Sequence, residues 1–233
     1  MKIRKSNERG DLKIDWLHAK HSFSFGSFYD PDFMNFKSLR VINNDIIQPK
    51  SGFDTHSHSN MEIITFVLSG ALDHRDGLGN HSTIKPGEVQ LMSAGSGISH
   101  SEFNLSDTLE CELYQIWIET NQKNTLPSYE QYSYADRKKI NSLTLLVSPY
   151  GEASEIGVAK AYANIKLYLG SLEDREKIKV DSSKSYWLQI ISGSLSLNED
   201  EFNKADGVGF EINELDEIIA IKKCDFLLFE FND

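Results

Sequence analysis

Residues 63–72 read IITFVLSGAL, and residues 187–195 read WLQIISGSL. Each is a run of β-branched, aliphatic and aromatic residues that ends in Ser-Gly, at Ser69-Gly70 and Ser192-Gly193. Runs of this length and composition read as strands. A glycine placed directly after the run supplies the positive φ that a hairpin turn needs. Turn signals recur further on, as Pro86-Gly87-Glu88 after the first run and Asp206-Gly207 after the second. A segment that echoes itself in this way points to two copies of one structural unit.

Working outward from this pair, the dominant period is two rather than 3.6. Residues 39–42 (LRVI), 113–118 (LYQIWI), 143–147 (LTLLV) and 225–229 (DFLLF) carry further strand signals. Gly, Asn, Asp and Pro punctuate them, the pattern of a sandwich or barrel of short strands. The best helical candidate is residues 133–140, which are short and weakly patterned. The expected fold class is therefore all-β, two antiparallel β-barrel domains with few short helices. The polar stretch 120–133 reads as a linker, with the boundary near Leu126-Pro127-Ser128. This gives domains of residues 1–128 and 129–233.

Composition narrows the function classes. Hydrophobic residues make up 39% of the 233, enough for a packed core, and the 25% of charged residues mixes both signs. With 24 basic against 35 acidic side chains the formal net charge is −11, which repels a phosphate backbone and argues against direct nucleic-acid binding. The first twenty residues are charged and hold no apolar core of a signal peptide, and no run approaches a membrane span of about 18 apolar residues. Cys111 and Cys224 lie far apart and form no CxxC pair. A reducing cytoplasm is the expected location.

The histidines are unevenly placed: His18, His21, His56, His58, His74, His81 and His100, with none beyond. Laying the second half on the first puts Lys179 and Asp181 on His56 and His58 through the anchor Gly70/Gly193, and Ala220 and Lys222 on His100 and Glu102 through the anchor Gly87/Gly207. Two ammonium groups in that set disfavour a cation, so the second domain is expected to be metal-free. Residues i and i+2 of a strand face one side about 7 Å apart, so the His56/His58 pair can converge on one ion. The pair His100/Glu102 repeats the spacing. Three nitrogens and one carboxylate oxygen would then leave coordination positions open. Histidines lining a polar barrel mouth would show the same spacing.

The flanking residues carry a resemblance. Gly52-Phe53-Asp54-Thr55-His56-Ser57-His58 and the later run Met92-Ser93-Ala94-Gly95-Ser96-Gly97-Ile98-Ser99-His100-Ser101-Glu102 are similar to the two cupin motifs. Ser93 in place of a proline, and two extra residues before the histidine, depart from the general cupin pattern and resemble the pirin branch. His21-Ser22-Phe23-Ser24-Phe25, Tyr29-Asp30-Pro31, Leu39-Arg40-Val41-Ile42-Asn43, His74-Arg75-Asp76 and Tyr114-Gln115-Ile116-Trp117-Ile118 fit the same family. The chain most resembles the short bacterial pirin-like proteins described as quercetin 2,3-dioxygenases, with specific motifs in residues 1–120 and a looser match beyond.

That resemblance implies a bicupin fold, with a metal-binding N-terminal cupin and a C-terminal cupin without metal. It implies His56, His58, His100 and Glu102 as the ligands of one divalent transition metal ion. Iron(II) is the expected metal, and manganese, cobalt, nickel, copper or zinc suit the same donors. The implied reaction cleaves the 2,3 bond of a flavonol such as quercetin with dioxygen and releases carbon monoxide, with Glu102 also serving as a general base. The alternative implied by the family is a metal-dependent, redox-sensing regulator that binds a protein partner. A monomer is expected. Glu62 is a candidate to orient a ligand histidine, against the plain reading of a strand carboxylate. His74 reads as a turn histidine satisfied by Asp76, or as lining the barrel mouth. The aromatic crowd from Phe23 to Phe36 reads as core filling, with stacking on a flat substrate as the alternative.

Overall fold

The computed structural model describes residues 1–152 and 155–232. The chain divides into two compact units. The N-terminal unit holds Gly10–Ala135 with Ala159–Ala163, and the C-terminal unit holds Met1–Arg9, Asp136–Val158 and Asn164–Asp233. In chain order the strands begin with β1 (Lys2–Arg4), β2 (Gly10–Lys13), β3 (Leu17–His21), β4 (Leu39–Ile47), β5 (Ser51–His58), β6 (Met61–Ser69) and β7 (Leu72–Asp76). They continue with β8 (His81–Ile84), β9 (Glu88–Ser93), β10 (Ile98–Asn104), β11 (Cys111–Glu119), β12 (Ser128–Ser133) and β13 (Ser142–Pro149). The last are β14 (Ala159–Ala161), β15 (Ile165–Leu172), β16 (Lys177–Lys179), β17 (Ser185–Leu197), β18 (Asp200–Asn203), β19 (Gly207–Phe210) and β20 (Glu217–Phe231). The helices among the described residues are two short 3-10 turns, Ser6–Glu8 and Pro31–Phe33.

The N-terminal unit is two antiparallel sheets of order β12-β9-β6-β11-β4-β3-β2 and β5-β10-β7-β8. They are not hydrogen-bonded into one closed ring. The alternating pattern of β3, with Leu17, Ala19 and His21 buried and His18 and Lys20 half exposed, is what one solvent-facing sheet surface produces. Leu17, Ile47, Val67, Leu72, Ile84 and Leu113 fill one end of the interior.

The C-terminal unit is built on the order β1-β19-β17-β20-β15-β13, with β16 on β20 and β18 on β17. Its interior is continuous apolar packing that includes Leu188, Ile190, Leu195, Phe202, Phe210 and Phe226. The inward residues of β17 are even-numbered up to Ile190 and odd-numbered from Leu195. Register shifts at Ile190/Ser192, Ser192/Ser194 and Ser194/Leu195 account for the change. An odd slip moves a strand's apolar set to its other face, and a bulge is the way to do so in mid-strand.

The two Ser-Gly anchors prove structurally equivalent. Gly70 and Gly193 have φ of 73° and 74°. A Cβ on Gly70 would run into the backbone of Glu110 and Cys111, and one on Gly193 into that of Lys223 and Cys224. The same close crossing of two strands, which only glycine allows, is used in both units.

Residues 133–140 form no helix, contrary to the reading of the sequence. Ser133 closes β12, and Tyr134 stacks on Phe66 with ring centroids 5.6 Å apart and planes 5° from parallel. The Tyr134 N–H donates to the Gly87 carbonyl. This tertiary anchor holds Tyr134 against β6 and the turn at Gly87, and a turn follows at 135–137. Residues 128–133, read as linker, pair in register with β9 from Ser128↔Ser93 to Ser133↔Glu88.

Candidate metal centre

His56 and His58 lie on β5, and His100 and Glu102 on its antiparallel neighbour β10. His100 stands directly opposite His56, and Ile98 opposite His58. The register shifts between His100 and Glu102, so that Glu102 faces Phe53. Gly52 permits that irregularity, because a Cβ there would strike the Glu102 backbone. Ring centroids are 4.4 Å apart for His56–His100, 4.9 Å for His56–His58 and 5.1 Å for His58–His100. One ring nitrogen from each of the three lies within 4.8 Å of the others. A transition metal sits about 2.0–2.1 Å from each imidazole nitrogen, so small ring rotations would close this set on an ion.

Hydrogen bonds set the tautomers. His56 Nδ1 donates to the Asp54 carbonyl at 2.7 Å, which leaves Nε2 as the lone-pair nitrogen. His74 Nε2 lies 3.3 Å from Asp76 Oδ2, and His100 Nδ1 lies 3.5 Å from His74 Nδ1. One assignment serves the whole chain: His74 Nε2–H donates to Asp76, and His100 Nδ1–H donates to His74 Nδ1. Asp76 is fixed in turn by the N–H groups of Leu78 and Asn80. His100 Nε2 is then left buried with no hydrogen-bond partner. An orphaned lone pair among converging imidazoles is the signature of a ligand nitrogen.

Electrostatics agree. Burial first, and then the neighbouring His56, push His58 down to about 4. Burial, followed by His56, His74 and His58, pushes His100 down to about 3. Both rings are neutral at pH 7, the form that binds metal. Glu102 is buried, and both its oxygens accept from Gln115 Nε2, at 3.1 and 3.0 Å. Burial raises its carboxyl, while His74 and Gln115 pull the other way. Glu102 groups with His74 and His100 within 4.8 Å, rather than with His56 and His58. His100 is common to both groups. Both groups lie in the N-terminal unit.

These side chains form one wall of a cavity of about 240 Å³. Phe25, Phe53 and Trp117 line it, with Phe25 edge-on to Trp117 at 5.4 Å and His58 against Trp117 at 4.8 Å. The aromatic crowd thus splits: Phe23 and Phe36 are buried core, while Phe25 faces the cavity. Opposite the histidines, β3, β4 and β11 contribute His21, Asn43, Asp45 and Gln115. His21 Nδ1 donates to Asn43 Oδ1 at 2.8 Å. Asp45 is pushed up to about 7, by burial first and by the Glu102 charge second.

The remaining candidates fall elsewhere. Glu62 is buried, but its carboxylate accepts from Ser93 Oγ at 2.7 Å and from the Tyr162 N–H at 3.2 Å, and orients no histidine. Strand alternation explains this: Glu62 lies opposite Ser93 and Ile118 on its own sheet, away from β5 and β10. His18 pairs with Asp11 and His81 with Asp73, each at 2.8 Å. His74 is fully buried on β7 rather than in a turn, opposite Glu102. Asp45 and Gln115 had not been singled out. The signal was available: in β4 the alternating set Val41, Asn43, Asp45, Ile47 places two polar residues where a core strand would be apolar.

Comparison with known proteins follows the same division. The family model described as Pirin matches residues 2–118, and the quercetinase C-terminal cupin domain matches residues 145–231. A quercetin 2,3-dioxygenase of Escherichia coli (strain K12) is 38% identical over 230 residues, covering 98% of this chain and 97% of the relative. A pirin-like protein of Caulobacter vibrioides is 34% identical, with 95% of each chain covered. The crystal structure of the bacterial pirin YhhW from Escherichia coli in complex with nickel(II) is similar at a TM-score of 0.91 and 38% identity, covering 99% of this chain and 98% of that one.

Proposed function

The chain belongs to the pirin family, and from that premise we propose that it is a metal-dependent dioxygenase that cleaves a flavonol such as quercetin at the 2,3 bond, with release of carbon monoxide. The observation that carries this reading is the convergence of three imidazoles, His100 Nε2 unpartnered among them, on one wall of an aromatic-lined cavity. In this reading His56, His58, His100 and Glu102 hold one divalent transition metal ion, iron(II) first among the candidates. The nickel(II) in the similar bacterial pirin supports a divalent ion without fixing its identity. In this reading the N-terminal unit, Gly10–Ala135 with Ala159–Ala163 rather than residues 1–128, carries the centre, and the C-terminal unit has none.

When bound, such an ion supplies Lewis acidity toward a substrate oxygen and the redox chemistry that dioxygen requires. The protein's part follows from the residues present. His56 and His100 are held in the ligating tautomer by Asp54 and by the His74–Asp76 pair. Phe25, Phe53 and Trp117 offer flat, largely apolar surfaces that fit an aromatic ring. Glu102, raised by burial, is suited to take the proton of the substrate 3-hydroxyl, with Gln115 steadying the carboxylate.

The test is dioxygen consumption and carbon monoxide release on adding quercetin to metal-loaded protein. Robust uptake that His56→Ala reduces to background is the expected result. Uptake by the natural protein no greater than that of the variant would remove the reading.

A further inference from the structure

Asp45 is only 3% exposed, and its Oδ1 has no hydrogen-bond partner. Its place in the sheet explains why. Asp45 stands between Ala19 on β3 and Leu113 on β11, and neither offers a side-chain donor. The neighbouring polar residues of the same wall are satisfied among themselves: His21 with Asn43, and Gln115 with Glu102 and Thr65. Asp45 also lines the cavity. A buried acceptor without a donor is costly, and an apolar residue between Ala19 and Leu113 would avoid the cost. Trp117 lines the same cavity with its ring, while its Nε1–H is buried away from solvent without a partner. A carboxylate among aromatic side chains is complementary to a ring that bears hydroxyl groups, and mismatched to a bare hydrocarbon.

We propose that Asp45 determines specificity: its carboxylate accepts a hydrogen bond from a ring hydroxyl of the aromatic substrate, other than the oxygen taken at the histidine cluster. The proposal rests on the flavonol reading above and adds to it the feature that selects polyhydroxylated rings. It also explains why a stable sheet tolerates an unpaired carboxylate between Ala19 and Leu113: the partner arrives with the ligand.

The experiment compares two probes on metal-loaded protein with dioxygen excluded, so that binding is read without turnover. Quercetin carries several ring hydroxyls, whereas 3-hydroxyflavone keeps only the 3-hydroxyl beside its ring carbonyl. The natural protein is expected to bind quercetin about 10- to 100-fold more tightly, the range of one hydrogen bond to a carboxylate. Asp45→Ala should weaken quercetin to the level of 3-hydroxyflavone while leaving 3-hydroxyflavone itself unchanged. Asp45→Asn, which keeps an acceptor oxygen, should retain most of the discrimination. Asp45→Val, a residue suited to a strand, takes the place of Asp45→Ala should that variant not fold. Discrimination that survives Asp45→Ala, equal binding of both probes by the natural protein, or equal weakening of both probes in the variant would each overturn the proposal and leave the flavonol reading standing. Binding of neither probe by the natural protein would overturn the flavonol reading, and the role of Asp45 with it.

Discussion

The interiors of the two units differ far more than their strands do. Both place a Ser-Gly pair at the end of a long strand, and both use that glycine, at φ near 73°, to let a second strand cross close by. In the C-terminal unit the space enclosed is filled by Leu188, Phe202, Phe210 and Phe226, each at 0% exposure, and by their neighbours. In the N-terminal unit the space is partly hollow, and His21, Asn43, Asp45, Glu102 and Gln115 face it. The difference teaches a division of labour. A filled interior contributes stability through apolar burial, whereas a hollow one gives up part of that stability to keep polar groups pointed at a ligand.

The comparison breaks most visibly if the filled interior proves dispensable. Phe226 packs into the space left by the absent side chain of Gly170. Phe226→Ala is expected to cost about 3–5 kcal/mol in denaturant unfolding. Metal content of the folded variant should be unchanged. Loss of metal in that variant, or a cost below about 1 kcal/mol, would contradict the division.

On the hollow side, His74 is the sharper probe, because it touches His100 and Asp76 without belonging to the three-histidine group. His74→Ala should weaken metal binding by about 10- to 100-fold, measured by competition with a chelator, with a smaller effect on unfolding. An unaltered affinity would show that His100 needs no orienting partner.

The effect most remote from the site concerns Glu62, on the sheet but outside the cavity lining. Burial is the main cause of its rise to about 7, against the lowering by Ser93 and the Tyr162 N–H. A carboxyl raised on folding binds its proton more tightly in the native state. Its contribution to stability is complete below the unfolded value near 4.5 and is lost as pH rises through about 7. Glu62→Gln should therefore flatten the decline of stability between pH 5 and 7, removing a slope of about 1.4 kcal/mol per pH unit. Parallel profiles for the two proteins would contradict this.

Much of this was readable beforehand, for physical reasons that can be named. Period-two alternation and the two Ser-Gly echoes reported local backbone preferences, which are properties of adjacent residues. The i, i+2 spacing of His56/His58 and His100/Glu102 was legible because a strand gives such residues a common face. The opposition of His100 to His56 depends on strand register, which is a long-range property, and so does the contact of His74 with His100. Residues 133–140 misled because Tyr134 is held by Phe66, nearly seventy positions earlier, and propensity knows nothing of that contact. Asp45 was hidden differently: an Asp within an apolar strand is visible, but its lack of any donor is not. No helix among the described residues is long and apolar enough to cross a membrane.

One ion held by the N-terminal unit is the feature on which the proposed chemistry depends. Elemental analysis of protein purified without chelator, set beside His100→Ala prepared identically, tests it most directly. The prediction is about one transition metal ion per chain in the natural protein and close to none in the variant. Equal metal in both proteins, or no metal in the natural protein even after reconstitution with iron(II) or nickel(II), would contradict it.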